Sequence, residues 1–197
     1  TYFHRHNICF YYFCKDNLLL TLQKEKMKIK DMLNPKSTQI VFSDKEIPAE
    51  YVQTLLQAAL GTMHKGTGNT CELYVTDNRQ LMDRLADARE SGAEAIKSAP
   101  LAVAVVADRL YDGSWVENCQ NAVWAMRIAA SELKLASVAI QIRGYSLTDG
   151  TLSDDVVRGV LDIPDGKTVC VLFAVGYAEI NDKAGDEDLE WERIHIV

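Results

Sequence analysis

The sequence predicts one domain in which a β-sheet is sandwiched between helices, and three stretches carry that reading. Leu101 to Ala107 (LAVAVVA) and Val169 to Val175 (VCVLFAV) are apolar at every position, so each reads as a strand covered on both faces. The third stretch, Glu117 to Arg143, runs a long apolar helix into a strand that carries hydrogen-bonding side chains. With 197 residues, 48% of them hydrophobic, and only 4 prolines, the chain is long enough for a single substantial core.

Taken in order, residues 1–26 differ in composition from all that follows. Aromatics at Phe10, Tyr11, Tyr12 and Phe13 and leucines at 18 to 20 are broken by Lys15-Asp16, which makes the apolar runs too short for a membrane span or a convincing secretory signal. They are expected to be a poorly ordered or adventitious extension, with the domain proper at 27–197. Met27 to Leu33 predicts a short helix, interrupted by Asn34-Pro35. Lys36-Ser37-Thr38-Gln39 then forms a polar loop whose hydroxyls, backbone donors and cation suit a phosphate. Pro48-Ala49-Glu50 opens a helix with Val52, Leu55, Leu56 and Ala59 on one face, closed by Gly61. Gly61 to Thr70 is a glycine-rich loop without the lysine-serine ending of a nucleotide-binding P-loop.

Glu72 to Thr76 predicts a strand, and Asn78 to Glu90 a helix with Leu81, Leu85 and Ala86 inward. In the central helix, positions from Cys119 to Leu133 are nearly all apolar outside a stripe at Gln120, Arg127, Ser131 and Lys134, so most of its sides should be covered. After a break at Leu135-Ala136, Ser137 to Arg143 alternates with period two. Val138, Ile140 and Ile142 point one way, and Ala139, Gln141 and Arg143 the other. That second face, small and polar, has room for a flat ligand, although an edge strand showing its solvent face reads the same. Ser153 is expected to cap a helix through Val157, Val160 and Leu161, and Leu189 to Val197 alternates like a last strand.

The chemistry that these residues exclude is as informative. A formal charge of −7, with no basic patch, disfavours nucleic acid. The five cysteines (Cys9, Cys14, Cys71, Cys119, Cys170) have no metal-ligand spacing and read as reduced core thiols in a cytoplasmic protein. His4, His6, His64 and His195 are scattered, no serine sits in a nucleophile elbow, and the paired carboxylates Asp154-Asp155 and Asp186 to Asp188 are simplest as solvated surface. No metal site and no catalytic side chain is expected, so a cofactor would have to carry any redox chemistry.

From Met27 onward the order of segments resembles the FMN-dependent nitroreductase family, most closely its small bacterial members. The resemblance rests on Phe42 to Pro48, Ser98-Ala99-Pro100, Trp115 to Cys119, Leu135 to Arg143, Leu161 to Pro164, Gly176-Tyr177-Ala178-Glu179 and Trp191 to His195. It implies an α+β fold, a three-layer α-β-α sandwich of the nitroreductase type. It also implies a homodimer with FMN at sites built from both subunits, NAD(P)H as electron donor, and a nitroaromatic, quinone or similar flat acceptor. The family's phosphate loop carries three arginines, whereas a gapless count from Met27 puts Lys36, Ser37, Thr38 and Ile40 in that loop. Only one cation remains there, without the bidentate contact of a guanidinium. On the same resemblance Asn69 and Gln141 meet the isoalloxazine edge, the Ile140-Gln141 backbone lies beside the flavin N5 and O4, Ala139 leaves a roomier pocket than the proline or tryptophan of relatives, and Arg143 faces the pyrimidine end. The competing expectation is a non-catalytic relative that kept the fold and lost tight FMN binding, acting as a ligand-binding or partner subunit.

Overall fold

The apolar runs Leu101–Ala107 (β2) and Thr168–Gly176 (β4) become neighbouring central strands, buried at every residue. Glu72–Thr76 (β1) and Ala136–Gln141 (β3) flank them in the order β1-β2-β4-β3, with every pairing antiparallel. The computed structural model describes residues 40–63, 68, 70–110, 112–179 and 191–196. The expectations for residues 1–26, the Met27 to Leu33 helix and the Lys36 to Gln39 loop lie outside them.

Strand alternation sorts the core into two layers. Ala102, Ala104 and Val106 of β2, Leu172 and Ala174 of β4, and Val138 and Ile140 of β3 face α2 (Arg79–Ala86), α3 (Ala95–Ser98) and α5 (Ser153–Leu161). Leu101, Val103, Val105 and Ala107, with Val171, Phe173 and Val175, face α1 (Ala49–Thr62) and α4 (Trp115–Glu132). The fold is therefore an α+β three-layer sandwich, as expected. Between Val105 and Val106 the β2–β4 register slips, so that Val105 opposes Val171 while Val106 opposes Val169. Cys170 is the extra residue of this bulge, and its carbonyl accepts from both Ile142 and Arg143, just past the end of β3 (3.1 and 3.2 Å). The bulge turns Cys170 to the same face as Val171, beneath α4.

Several local expectations are corrected. Gly61 does not end α1, which runs to Thr62. Asn78 is the cap of α2 rather than its first residue, because its side chain accepts from the Gln80 and Leu81 amides, and the helix stops at Ala86 rather than Glu90. Met82 is fully buried there, with Leu81 only partly so. Ser153 lies inside α5 behind Leu152, and its hydroxyl is buried without a partner, so it is not the predicted cap. The described part of the last segment is a 3-10 turn, Trp191–Arg193, with no strand. On α4 the exposed line is Glu117, Asn121, Trp124, Ile128 and Glu132, not the predicted polar stripe. No described helix is long and apolar enough to cross a membrane.

Candidate functional site

Among the described residues β3 is an edge strand, and its small, polar face lies on the α4 side of the sheet. Ala139 is partly buried against that layer. Gln141 receives a hydrogen bond on Oε1 from Nε2 of Gln120, one turn into α4 (3.2 Å), and the same Gln120 nitrogen lies 4.0 Å from Cys170 Sγ. Arg143 sits 5.7 Å over the ring of Trp115, the first residue of α4. Two amides, a guanidinium and an indole thus line the junction where the helix opens and the strand ends.

The open edge of β3 is also organised. The Gln141 carbonyl accepts from Arg89 Nη1 at 2.7 Å, and Arg89 itself stacks 3.4 Å over Tyr145. In an antiparallel strand the N–H and C=O of one residue share a side, so the Gln141 N–H looks out from the same edge. Ile140 is paired with Leu172, its side chain buried in the opposite layer. Of the predicted site residues, then, Ala139, Gln141 and Arg143 come together on one face, with Ile140 behind them. Lys36, Ser37, Thr38 and Asn69 lie outside the described residues.

Asp112 escaped the sequence reading. It is 4% exposed, and its carboxylate accepts from the Ser114 amide (2.9 Å), Asn118 Nδ2 (2.9 Å) and the Thr70 amide (3.2 Å). The Thr70 hydroxyl donates to the Asp108 carbonyl and accepts from the Asp108 amide. This clamp fixes the end of the glycine-rich segment against the opening of α4. A run of Asp-Gly-Ser before a helix signals a turn; nothing in it announces a donor 42 residues away. Arg89 was equally hidden, as one charge among many on a surface turn.

Three segments that are far apart in sequence meet beside β4. The Phe42 amide donates to Ser98 Oγ (3.0 Å) and Phe42 bridges to Ala178. A Cβ on Gly176 would lie 2.5 Å from Pro100 Cδ and 2.9 Å from the Phe42 ring, so only glycine fits there. Lys45 stacks on the Tyr177 ring (3.9 Å). Ile40 packs against the α2, α3 and α5 layer rather than lying open as a spare cation position. Among the described residues, no group of His, Cys, Asp or Glu could hold a metal ion.

No family model matches the chain. A solved structure of an FMN-dependent nitroreductase from Clostridium difficile R20291 is 30% identical, covering 79% of this chain and 91% of its own, with a TM-score of 0.73. A nitroreductase family protein from Clostridium difficile 630 is similar in fold at 21% identity and TM-score 0.61, covering 79% of this chain and 87% of its own. An archaeal protein of Methanothermobacter thermautotrophicus, named "Putative NADH dehydrogenase/NAD(P)H nitroreductase", is 26% identical over 175 residues, 87% of each chain.

Proposed function

The chain belongs to the nitroreductase family, and from that premise we propose that it is an FMN-dependent oxidoreductase that takes electrons from NAD(P)H and passes them to a nitroaromatic, quinone or other flat acceptor. The observation that carries this reading is the Gln120–Gln141 amide pair beside Arg143, on a face of β3 kept low by Ala139. Each amide both donates and accepts, and one contact between them leaves donors to spare. The pyrimidine edge of a flavin alternates carbonyl oxygens with an N–H, so this donor set fits it.

Bound there, FMN would supply the hydride chemistry. The residues of the chain bind and orient. Gln120 and Gln141 would hold the ring edge, and Arg89 fixes the Gln141 carbonyl so that the adjoining N–H keeps its direction. Arg143 would favour negative charge at the pyrimidine end. Lys36, Ser37 and Thr38 would hold the phosphate, and Asn69 the ring, on the strength of the resemblance alone. The reading includes a homodimer, supported by Trp124 (41% exposed) and Ile128 (49%), which stand one turn apart on the outer face of α4. Reduced core thiols suit a cytoplasmic setting.

The test is FMN titration of the full chain by fluorescence quenching, followed by NAD(P)H oxidation with a nitroaromatic or quinone. Saturable binding and acceptor-dependent turnover are expected. Absence of saturable FMN binding would overturn the enzyme reading and leave the non-catalytic relative in its place.

A further inference from the structure

Three thiols converge where β1, α4 and β4 meet. Cys71, just before β1, places its Sγ 3.4 Å from Sγ of Cys119 on α4, and the bulge in β4 turns Cys170 toward the same helix. Cys119 and Cys170 are buried, whereas Cys71 is partly exposed. We propose that Cys71 and Cys119 form a redox-active dithiol that hydrogen peroxide converts to a disulfide, with Cys170 left reduced beneath the Gln120–Gln141 pair.

The geometry favours this pair. A disulfide closes at about 2.05 Å, so the sulfurs must approach by about 1.4 Å, a distance that side-chain rotation covers. A residue adjacent to each cysteine is tied to one carboxylate. Asp112 accepts from the Thr70 amide, adjacent to Cys71, and from the Asn118 side chain, adjacent to Cys119. The Asp112 clamp therefore holds both cysteines in place whether or not they are bonded. Access assigns the order of events, because the half-exposed Cys71 meets the oxidant first. Its thiolate attacks one peroxide oxygen and becomes a sulfenic acid, and the departing hydroxide leaves as water. The Cys119 sulfur then attacks the Cys71 sulfur, its own proton going to the displaced hydroxyl, which leaves as a second water. Two thiols lose two electrons and one peroxide is reduced to two waters. Hydrogen bonding to Cys170 and Cys71, then burial, push the Cys119 thiol far up, which suits the partner that stays protonated until the second step. Cys170 is drawn the other way, by the Cys119 hydrogen bond first and also by Arg143 and Gln120.

The link would close a long loop from β1 to α4 and should raise the melting temperature by roughly 5 °C or more. The experiment treats the reduced full chain with a small molar excess of hydrogen peroxide, blocks remaining thiols with N-ethylmaleimide in denaturant, and maps the peptides by mass spectrometry. The Cys71 and Cys119 peptides should appear joined, lighter by two hydrogens and released by dithiothreitol, with Cys170 alkylated. Cys170→Ala should still form the link. Cys71→Ser should lose it, and Cys119 should then be recovered alkylated. Peptide mapping also separates this pair from Cys9 and Cys14. Alkylation of both Cys71 and Cys119 after peroxide, Cys71 halted as a sulfinic acid, or Cys119 joined to Cys170 would each overturn the proposal.

Discussion

The two faces of the sheet are built from the same four strands and are finished differently. The face toward α2, α3 and α5 is closed by its own chain, with Ile96, Met82, Leu85 and Val157 fully buried and Phe42 and Pro100 sealing the end beside Gly176. The face toward α1 and α4 buries Phe173, Met126 and Leu55 equally well, yet it leaves Trp124 and Ile128 outward and gathers the amides, the thiols and Arg143 at its open corner. The proposed flavin and dimer contacts both fall on the second face, where exposed apolar side chains and half-satisfied amides stand together.

The largest expected effect tests how tightly the first face is closed. Gly176→Ala forces a Cβ into the Pro100 ring, which has no rotamer to yield, and should cost about 2 to 3 kcal/mol in urea unfolding. A loss under about 0.5 kcal/mol would show that this seal is loose. On the second face, Ile128→Glu should leave the protomer folded while weakening self-association by roughly 2 kcal/mol, about thirtyfold, in sedimentation. If Ile128→Glu sediments like the parent protein at every concentration, this line is not the interface. Ile40→Arg returns to the first face. Read from the sequence alone, that arginine would restore a phosphate contact; because Ile40 packs against the core, a stability loss of about 1 to 2 kcal/mol is expected instead.

Two smaller effects sharpen the contrast. Gln141→Ala removes an exposed side chain from the open corner and should leave the melting temperature nearly unchanged while loosening FMN by about three- to tenfold, one hydrogen bond's worth. Equal loss of stability and affinity would mean that the amide pair is structural. At the end of α4, Lys134 holds a left-handed conformation (φ 58°) where its neighbour Leu135 donates back to Ala130. Lys134→Gly should therefore stabilise the fold by about 0.5 to 1 kcal/mol in the same urea assay.

Legibility in the sequence followed the same division. β2 was readable residue for residue, and the predicted span of β4 fell within its observed limits, because a strand buried on both faces must be apolar throughout and little else in a short run satisfies that; the bounds of the half-exposed β1 matched as well. The alternation of β3 put Ala139 and Gln141 on one side, as observed, although the strand runs Ala136–Gln141 rather than Ser137 to Arg143, and Arg143 lies just past its end. Helix ends were less legible. Asn78 as a cap and Asn78 as a first helical residue are the same letter, and only the direction of its side chain tells them apart. Ser153 had the right type for a cap and the wrong position, since the extended residue ahead of the first helical turn is Leu152.

By itself, then, the sequence determined what depends on a residue and its near neighbours: which runs are covered on both faces, where helices and strands alternate, and which side chains carry hydrogen-bond donors on the small, polar face of β3. Tertiary structure alone decided which distant residues would share a site. Asp112 joins Thr70 to Asn118, Arg89 reaches the Gln141 carbonyl across 52 residues, and a one-residue bulge brings Cys170 round to Cys119. None of these follows from spacing, because each depends on a register and a crossing of elements set by packing of the whole sheet, and a shift of one residue in that register would send the same side chains to the opposite face.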